Sequence, residues 1–380
     1  MEHSTDLILD DVKSSGRIGR IPMRNLWLLM LYASDLFREL ESEKKNVEDN
    51  PDDIPDLVAE ILCRRVEQRI RRNLSYGYLS RKAVVTRVRG RIDLLQTERH
   101  GLIDRGKIAC QFDELTVNTT RNRFVLAALK AISKIVHRGE LAHRCRALAT
   151  SLMSMGVTGE SPNRGAVSID RFGRHDADDR PMVAAAHLAF NLALPTEEDG
   201  ATRLSLPDRE IAWIRKLYEK GIAGFFKVVL PQLGWRVDAS KTFHWQISIK
   251  SESIDKILPI MRTDIILEHS EAGRRFVIDT KFNSIVTRGW YREETLRSGY
   301  VYQIYAYLRS QERIDDSLAQ NATGLLLHPS VGDRVSESAV IQGHEIRFAT
   351  VDLGTTAAEI RGQLLKAIEV THSMSDSHLV

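Results

Sequence analysis

The chain has 380 residues, a length that suits about two domains, and its 54 basic residues nearly cancel its 51 acidic ones, so overall charge does not announce a nucleic-acid binder. Three cysteines, Cys63, Cys110 and Cys145, lie far apart in sequence without metal-ligand spacing, which suits a reduced cytoplasmic compartment. An acidic, polar start and the lack of any run near ~20 apolar residues speak against a secretory leader and a membrane span.

Residues 1–20 read as a polar lead-in. Ile21-Pro22-Met23-Arg24-Asn25-Leu26 then enters an apolar helix expected over Trp27–Leu40. Asp56–Leu74 has a helical pattern loaded with arginine: Arg64, Arg65, Arg69, Arg71 and Arg72. Arg87, Arg89 and Arg91 alternate, and on one strand all three would project from one face. Such a face attracts phosphates or an acidic protein surface. It is equally a solvated face balanced by local acids such as Glu67, Asp93 and Glu98.

Gly101–Lys107 has the G-x-x-x-x-G-K spacing of a phosphate-binding loop, but Ile108 stands where a Ser or Thr would hold Mg²⁺, and no apolar strand precedes it. A connecting loop is the simpler reading, and it leaves the chain without a nucleotide-driven motor. Arg121–Val136 reads as an amphipathic core helix, Gly156–Pro181 as an irregular segment and Met182–Leu194 as a short Ala-rich helix. The acidic, Pro- and Gly-bounded stretch Pro195–Gly200 is the best linker signal, which sets a domain boundary near residue 200.

Ser205-x-Pro207-Asp208 carries helix-start signals ahead of an apolar stripe through Ile211, Ile214, Tyr218, Ile222, Phe225 and Val229, with Glu219 at its edge. Leu258–Phe282 then reads as a β-hairpin, two Ile- and Val-rich runs around Glu268–Gly273. Each run carries an acid that is costly to bury unless it is paired or binds a metal: Asp264 before Ile265-Ile266-Leu267, and Asp279 after Phe276-Val277-Ile278. Lys281 falls two residues after Asp279, hence on the same face of a strand. Gly299–Leu308 reads as a helix with Gln303 and Tyr307 four apart on one face. Strands at Gly324–Pro329 and Ile346–Leu353, a closing helix over 355–369 and a polar tail over 371–380 complete the chain.

Two carboxylates and a lysine on adjacent strands resemble the PD-(D/E)xK nucleases, and the following Q-x-x-x-Y helix resembles their RecB-like branch. Four further stretches narrow the resemblance to the McrC family, the nuclease subunits of McrBC-type modification-dependent restriction systems. They are I-P-M-R-N at 21–25, G-R-I-D at 90–93, F-D-E-L-T-V-N-T at 112–119 followed by Asn122-Arg123, and L-P-I-M-R-T-D-I at 258–265. The resemblance runs from about residue 21 to about residue 350.

That resemblance implies an α+β N-terminal domain over 21–200, followed by an α/β PD-(D/E)xK nuclease domain over 201–370 with a mixed central sheet flanked by helices. It implies Mg²⁺ held by Asp264 and Asp279, Lys281 positioning the nucleophile, and Gln303 and Tyr307 supporting the DNA. Glu219 is either a further site acid or a solvated helix charge. The implied partner is a McrB-like AAA+ GTPase ring, docked and stimulated by the N-terminal domain; the basic pattern of Arg87, Arg89 and Arg91 makes that face a candidate for part of the contact. The implied substrate is double-stranded, modified DNA. A stand-alone RecB-like repair nuclease is the alternative.

Overall fold

The computed structural model describes residues 17–18, 21–34, 36–39, 51–158, 179–193, 207–287, 295–332 and 334–369. Contacts divide the chain into two units, Pro55–Gly200 on one side and Met1–Ile54 together with Ala201–Val380 on the other. Helix α1 (Met23–Tyr32) thus groups with the C-terminal residues, unlike the expected domain of residues 21–200.

The unit Pro55–Gly200 begins with α2 (Ile54–Arg71), followed by β1 (Gly77–Val85), β2 (Arg91–Ile92), α3 (Leu94–Arg99), β3 (Ile108–Thr116), α4 (Thr120–Ile132), α5 (Gly139–Ser154) and α6 (Asp179–Ala193). The strands form an antiparallel sheet with β3 in the middle. Helix α4 packs against both α5 and α6 through a stripe that buries Phe124, Val125, Leu129 and Ile132. The fully buried Asp179, at the start of α6, meets Arg69 Nε at 2.5 Å and Arg121 at 3.0 Å, so one carboxylate ties three helices. Arg64 pairs with Glu60 and Arg144 with Glu67. For Arg64 and Arg69, the arginine-rich pattern of α2 is therefore matched by acids within the unit.

The expected single strand bearing Arg87, Arg89 and Arg91 does not form. Strand β1 ends at Val85, and only Arg91 lies in β2. Gly90 breaks the path, with φ +62° and no room for a side chain: a Cβ there would sit 2.5 Å from the Gln111 carbonyl oxygen. All three arginines are exposed, and the Arg89 guanidinium lies 4.6 Å over the Phe112 ring. Gly101 and Gly106 both have positive φ in the turns between α3 and β3. A helix precedes this loop and a strand follows it, the reverse of a phosphate-binding loop.

In the other unit, α7 (Pro207–Val229) leads into β4 (Arg236–Ala239), β5 (Ile265–His269), β6 (Arg274–Thr280), α8 (Ser298–Gln311), β7 (Thr323–Ser330), β8 (Ser336–Ile341), β9 (His344–Asp352) and α9 (Ala357–Ala367). Six strands make one mixed sheet in the order β8-β9-β7-β6-β5-β4. Strand β7 runs parallel to β6 and β9, and the remaining pairs are antiparallel. Strands β6 and β7 are buried apolar runs, as parallel strands covered on both faces require. The hairpin turn is shorter than its sequence suggests. Glu268 and His269 belong to β5, where the buried Glu268 pairs with Arg236 and, at 2.8 Å, with Arg275.

Helix α1 is apolar nearly all round, and every residue but Arg24 is buried. It packs along α7, where two glycines admit its backbone: a Cβ on Gly221 would lie 3.0 Å from Leu29, and one on Gly224 only 1.8 Å from the Tyr32 carbonyl oxygen. The buried Asn25 amide donates to the Leu353 carbonyl at 2.7 Å and the Thr355 carbonyl at 2.9 Å, pinning α1 to the end of β9. Among the described residues, no helix is long and apolar enough to cross a membrane.

Candidate active site

The β5–β6 hairpin positions the acids. Val277 of β6 packs in a cluster with Ile266, Leu326, Ile346 and the α8 side chains Ile304 and Leu308. Side chains alternate along a strand, so Asp279 and Lys281 face α8 as Val277 does. The pairing register ends at Ile265 opposite Ile278, and Asp264, in the bend just before β5, lies close enough to Asp279 for its charge to act on that carboxyl. Asp264 is fixed there, its Oδ2 accepting the Thr280 N–H at 2.7 Å and the Thr280 hydroxyl at 2.8 Å. Lys281 lies just past β6, yet its N–H still reaches the Leu327 carbonyl at 3.1 Å, which keeps it in register.

Asp279 is almost wholly buried. Lys281 Nζ stands 2.8 Å from its Oδ2 as an ion pair. Burial pushes the Asp279 carboxyl up to about 6; the charges of Asp264 and Glu219 add to the rise, and Lys281 opposes it. Burial alone would lower the Lys281 ammonium, but Asp279 and Asp264 outweigh it and hold its pKa above the ordinary value.

Glu219 is half-buried, and burial followed by the Asp264 charge raises its carboxyl, against Arg262. Glu219 and Asp264 line one cleft of about 320 Å³, together with Tyr32, Lys220, Lys227 and Ser240. On α8, Gln303 donates to the Tyr307 hydroxyl at 2.6 Å. Burial raises the Tyr307 hydroxyl's pKa, the Gln303 bond opposes this, and Asp279, Lys281 and Asp264 all act on it. The structure thus brings together Asp264, Asp279, Lys281, Gln303, Tyr307 and Glu219. It leaves Arg87, Arg89 and Arg91 in the other unit.

Three residues beside Lys281 escape a reading of the sequence. Its Nζ lies 5.1 Å over the Tyr300 ring. The Tyr300 hydroxyl accepts from Asn283 Nδ2 at 2.5 Å, and the Asn283 carbonyl meets His328 Nδ1 at 2.9 Å. Burial drives His328 down to about 4, against the Asn283 bond, so the ring is neutral at pH 7 and its Nδ1–H donates. The signals for these residues were present: Tyr300 is three before Gln303 on the same helix face, and His328 is two past Leu326 on the same strand face.

Among the described residues, no three His, Cys, Asp or Glu side chains converge tightly enough to hold a metal by themselves. What the site offers is two neighbouring carboxylates, one of them almost wholly buried beside Lys281. An all-oxygen pair of this kind fits Mg²⁺, which takes oxygen ligands and keeps several waters.

A family model of McrBC 5-methylcytosine restriction system components matches residues 9–327. The chain belongs to that family. It is 25% identical over 347 residues to the type IV methyl-directed restriction enzyme EcoKMcrBC of Escherichia coli (strain K12), covering 91% of this chain and 96% of the relative. Among solved structures, a chain of the half-complex of Thermococcus gammatolerans McrB AAA+ hexamers with bound McrC aligns over 91% of this chain and 76% of its own, at TM-score 0.41 and 14% identity. A chain of the Thermococcus gammatolerans McrBC complex aligns over 48% and 60%, at TM-score 0.32 and 13% identity.

In this McrBC family member, the motifs outside the hairpin are structural in their contacts. Asn25 pins α1, Gly90 turns the chain and Asp93 caps α3. Thr119 caps α4, and the Asn122 amide holds the carbonyls of Ser75 and Val117.

Proposed function

We propose that this chain is the DNA-cutting subunit of a McrBC-like, modification-dependent restriction complex, and that its C-terminal unit is a PD-(D/E)xK endonuclease. The observation that carries this is the cluster of Asp264, Asp279 and Lys281 at the end of the β5–β6 hairpin, in a chain of the McrBC family. Asp264 and Asp279 would hold Mg²⁺, which would supply charge neutralisation at the scissile phosphate and a more acidic bound water. Thr280 fixes the Asp264 carboxylate, so the first acid is oriented before substrate arrives. Lys281 orients the attacking water beside the phosphate. Gln303 and Tyr307, coupled by their hydrogen bond, support the DNA backbone from α8. Glu219, at the cleft, is a further acid able to hold a water or its proton.

The partner is a McrB-like AAA+ GTPase, docked through the unit Pro55–Gly200. Tyr78, Val88, Leu94, Leu95, Ile103 and Leu115 are all exposed around the small β1–β3 sheet of that unit. So many exposed large apolar side chains in about forty residues mark an interaction surface. The substrate is double-stranded DNA carrying 5-methylcytosine, as the family description and the methyl-directed relative suggest.

The test is cleavage of a 5-methylcytosine duplex by the purified chain with its AAA+ partner, GTP and Mg²⁺. Asp279→Ala abolishes cutting while the variant stays folded. Full cutting by that variant overturns the nuclease assignment, and cutting by the wild type without any partner favours a stand-alone nuclease.

A further inference from the structure

We infer that Tyr300 is a positioning residue for Lys281, an aromatic platform that, together with Asp279, fixes where the ammonium stands over the scissile phosphate. The inference rests on the nuclease reading above and extends it to a residue outside the D…D-x-K and Q-x-x-x-Y patterns.

The reason begins with the flexibility of lysine. Four rotatable bonds separate the Lys281 backbone from its ammonium, and an ion pair alone does not select one rotamer. Asp279 holds Nζ at 2.8 Å through one oxygen, a contact on one side of the ammonium only. The Tyr300 ring supplies a second contact, with Nζ 5.1 Å from its centroid, inside the range over which a ring face attracts a cation. Lys281 is mostly shielded from solvent, its side chain 21% exposed, which strengthens the attraction.

The platform itself is held. Tyr300 sits in the first turn of α8, one turn before Gln303. Its hydroxyl accepts the Asn283 amide at 2.5 Å, and Asn283 lies two residues after Lys281 in the same chain segment. The neutral His328 ring anchors the backbone of that segment through the Asn283 carbonyl at 2.9 Å. It also lies near the Tyr300 ring, centroids 5.9 Å apart. Strand β7, the loop after β6 and the start of α8 are thus joined at one point, with the lysine above it. A plain core tyrosine needs neither the cation over its face nor the amide on its hydroxyl.

The test is single-turnover cleavage of a 5-methylcytosine duplex by the full chain with its AAA+ partner, GTP and Mg²⁺. Wild type and Lys281→Ala serve as controls. Tyr300→Leu is expected to lower the cleavage rate about three- to thirtyfold, the worth of one such contact, with DNA affinity and melting temperature close to wild type. Tyr300→Phe, which keeps the ring, is expected to recover most of that loss. If Tyr300→Leu does not fold, fluorinated phenylalanines at 300 read the same contact, since fluorine weakens the ring's negative face with little change of shape. The rate then falls with each added fluorine. A Tyr300→Leu rate equal to wild type, or a rate indifferent to fluorination, overturns the inference while leaving the nuclease reading intact. Lack of cutting by wild type, or full cutting by Lys281→Ala, overturns the nuclease reading and the inference with it.

Discussion

Replacing Asp279 with asparagine separates a site acid from a structural one. In the fold its carboxyl is pushed up to about 6 from an ordinary 3.8, first by burial and then by the neighbouring Asp264. A rise of about two units corresponds to roughly 3 kcal/mol of preference for the neutral form. The Lys281 attraction is already included in that value, and the side chain is only 2% exposed, so solvent screening takes little away. Near pH 4 and below, the folded chain holds the Asp279 proton and no cost is felt. Between about 4 and 6 the unfolded chain gives up this proton first, so stability is lost as pH rises, and above 6 the loss is complete. Asp279→Asn cannot ionise. At pH 7 without added metal it is expected to stabilise the unit that carries the site by about 2–3 kcal/mol, or roughly 5–10 °C in melting temperature. The gain shrinks as pH falls toward 4, and the same variant loses DNA cutting. Calorimetry in EDTA at pH 5 and pH 7.5 reads the effect. A variant less stable than wild type at pH 7.5 would mean that the Asp279–Lys281 pair is a structural staple, and the reasoning would fail.

Three further outcomes follow from the contacts. Gln303→Ala breaks the bond to Tyr307 and lowers cleavage roughly five- to tenfold with little change in melting temperature or in partner GTPase rate; an equal loss of stability would make Gln303 a core residue. Asn25→Ala strands the Leu353 and Thr355 carbonyls and costs about 2–3 kcal/mol of stability, seen by calorimetry, because α1 is stapled to the sheet unit. Tyr78→Asp or Leu95→Asp, both at exposed positions, leaves the fold and the metal site alone but weakens pull-down of the AAA+ partner and its GTPase stimulation; unchanged binding by both would move the docking surface elsewhere.

The hairpin was readable because β-branched runs, a Gly-containing turn and two misplaced acids all point the same way. The register that pairs Ile265 with Ile278 brings the ends of the two runs, and with them the two acids, together. Helical spacing put Gln303 and Tyr307 on one face, but it took the resemblance to a Q-x-x-x-Y helix following D-x-K to single them out. The N-terminal grouping was not readable. The sequence announces an apolar helix over Trp27–Leu40, which the structure places at Met23–Tyr32, but its partners, the Gly221 and Gly224 notch on α7 and the carbonyls after β9, lie about two hundred residues or more away, and sequence order favours the nearer neighbour. The arginine alternation at 87–91 misled because period two assumes a continuous strand, and Gly90 with its positive φ ends that assumption. Tyr300 and His328 were missed because each looks like an ordinary core residue until Lys281 is placed over the one and Asn283 against the other.

The central claim is that Asp264 and Asp279, brought together at the end of the β5–β6 hairpin, cut DNA. It is tested most directly by comparing wild type with Asp264→Ala in single-turnover cleavage of a 5-methylcytosine duplex, with the AAA+ partner, GTP and Mg²⁺ present. The account predicts that wild type cuts, that EDTA stops it, and that Asp264→Ala falls to background while still stimulating the partner's GTPase. Cutting by Asp264→Ala at the wild-type rate would contradict it.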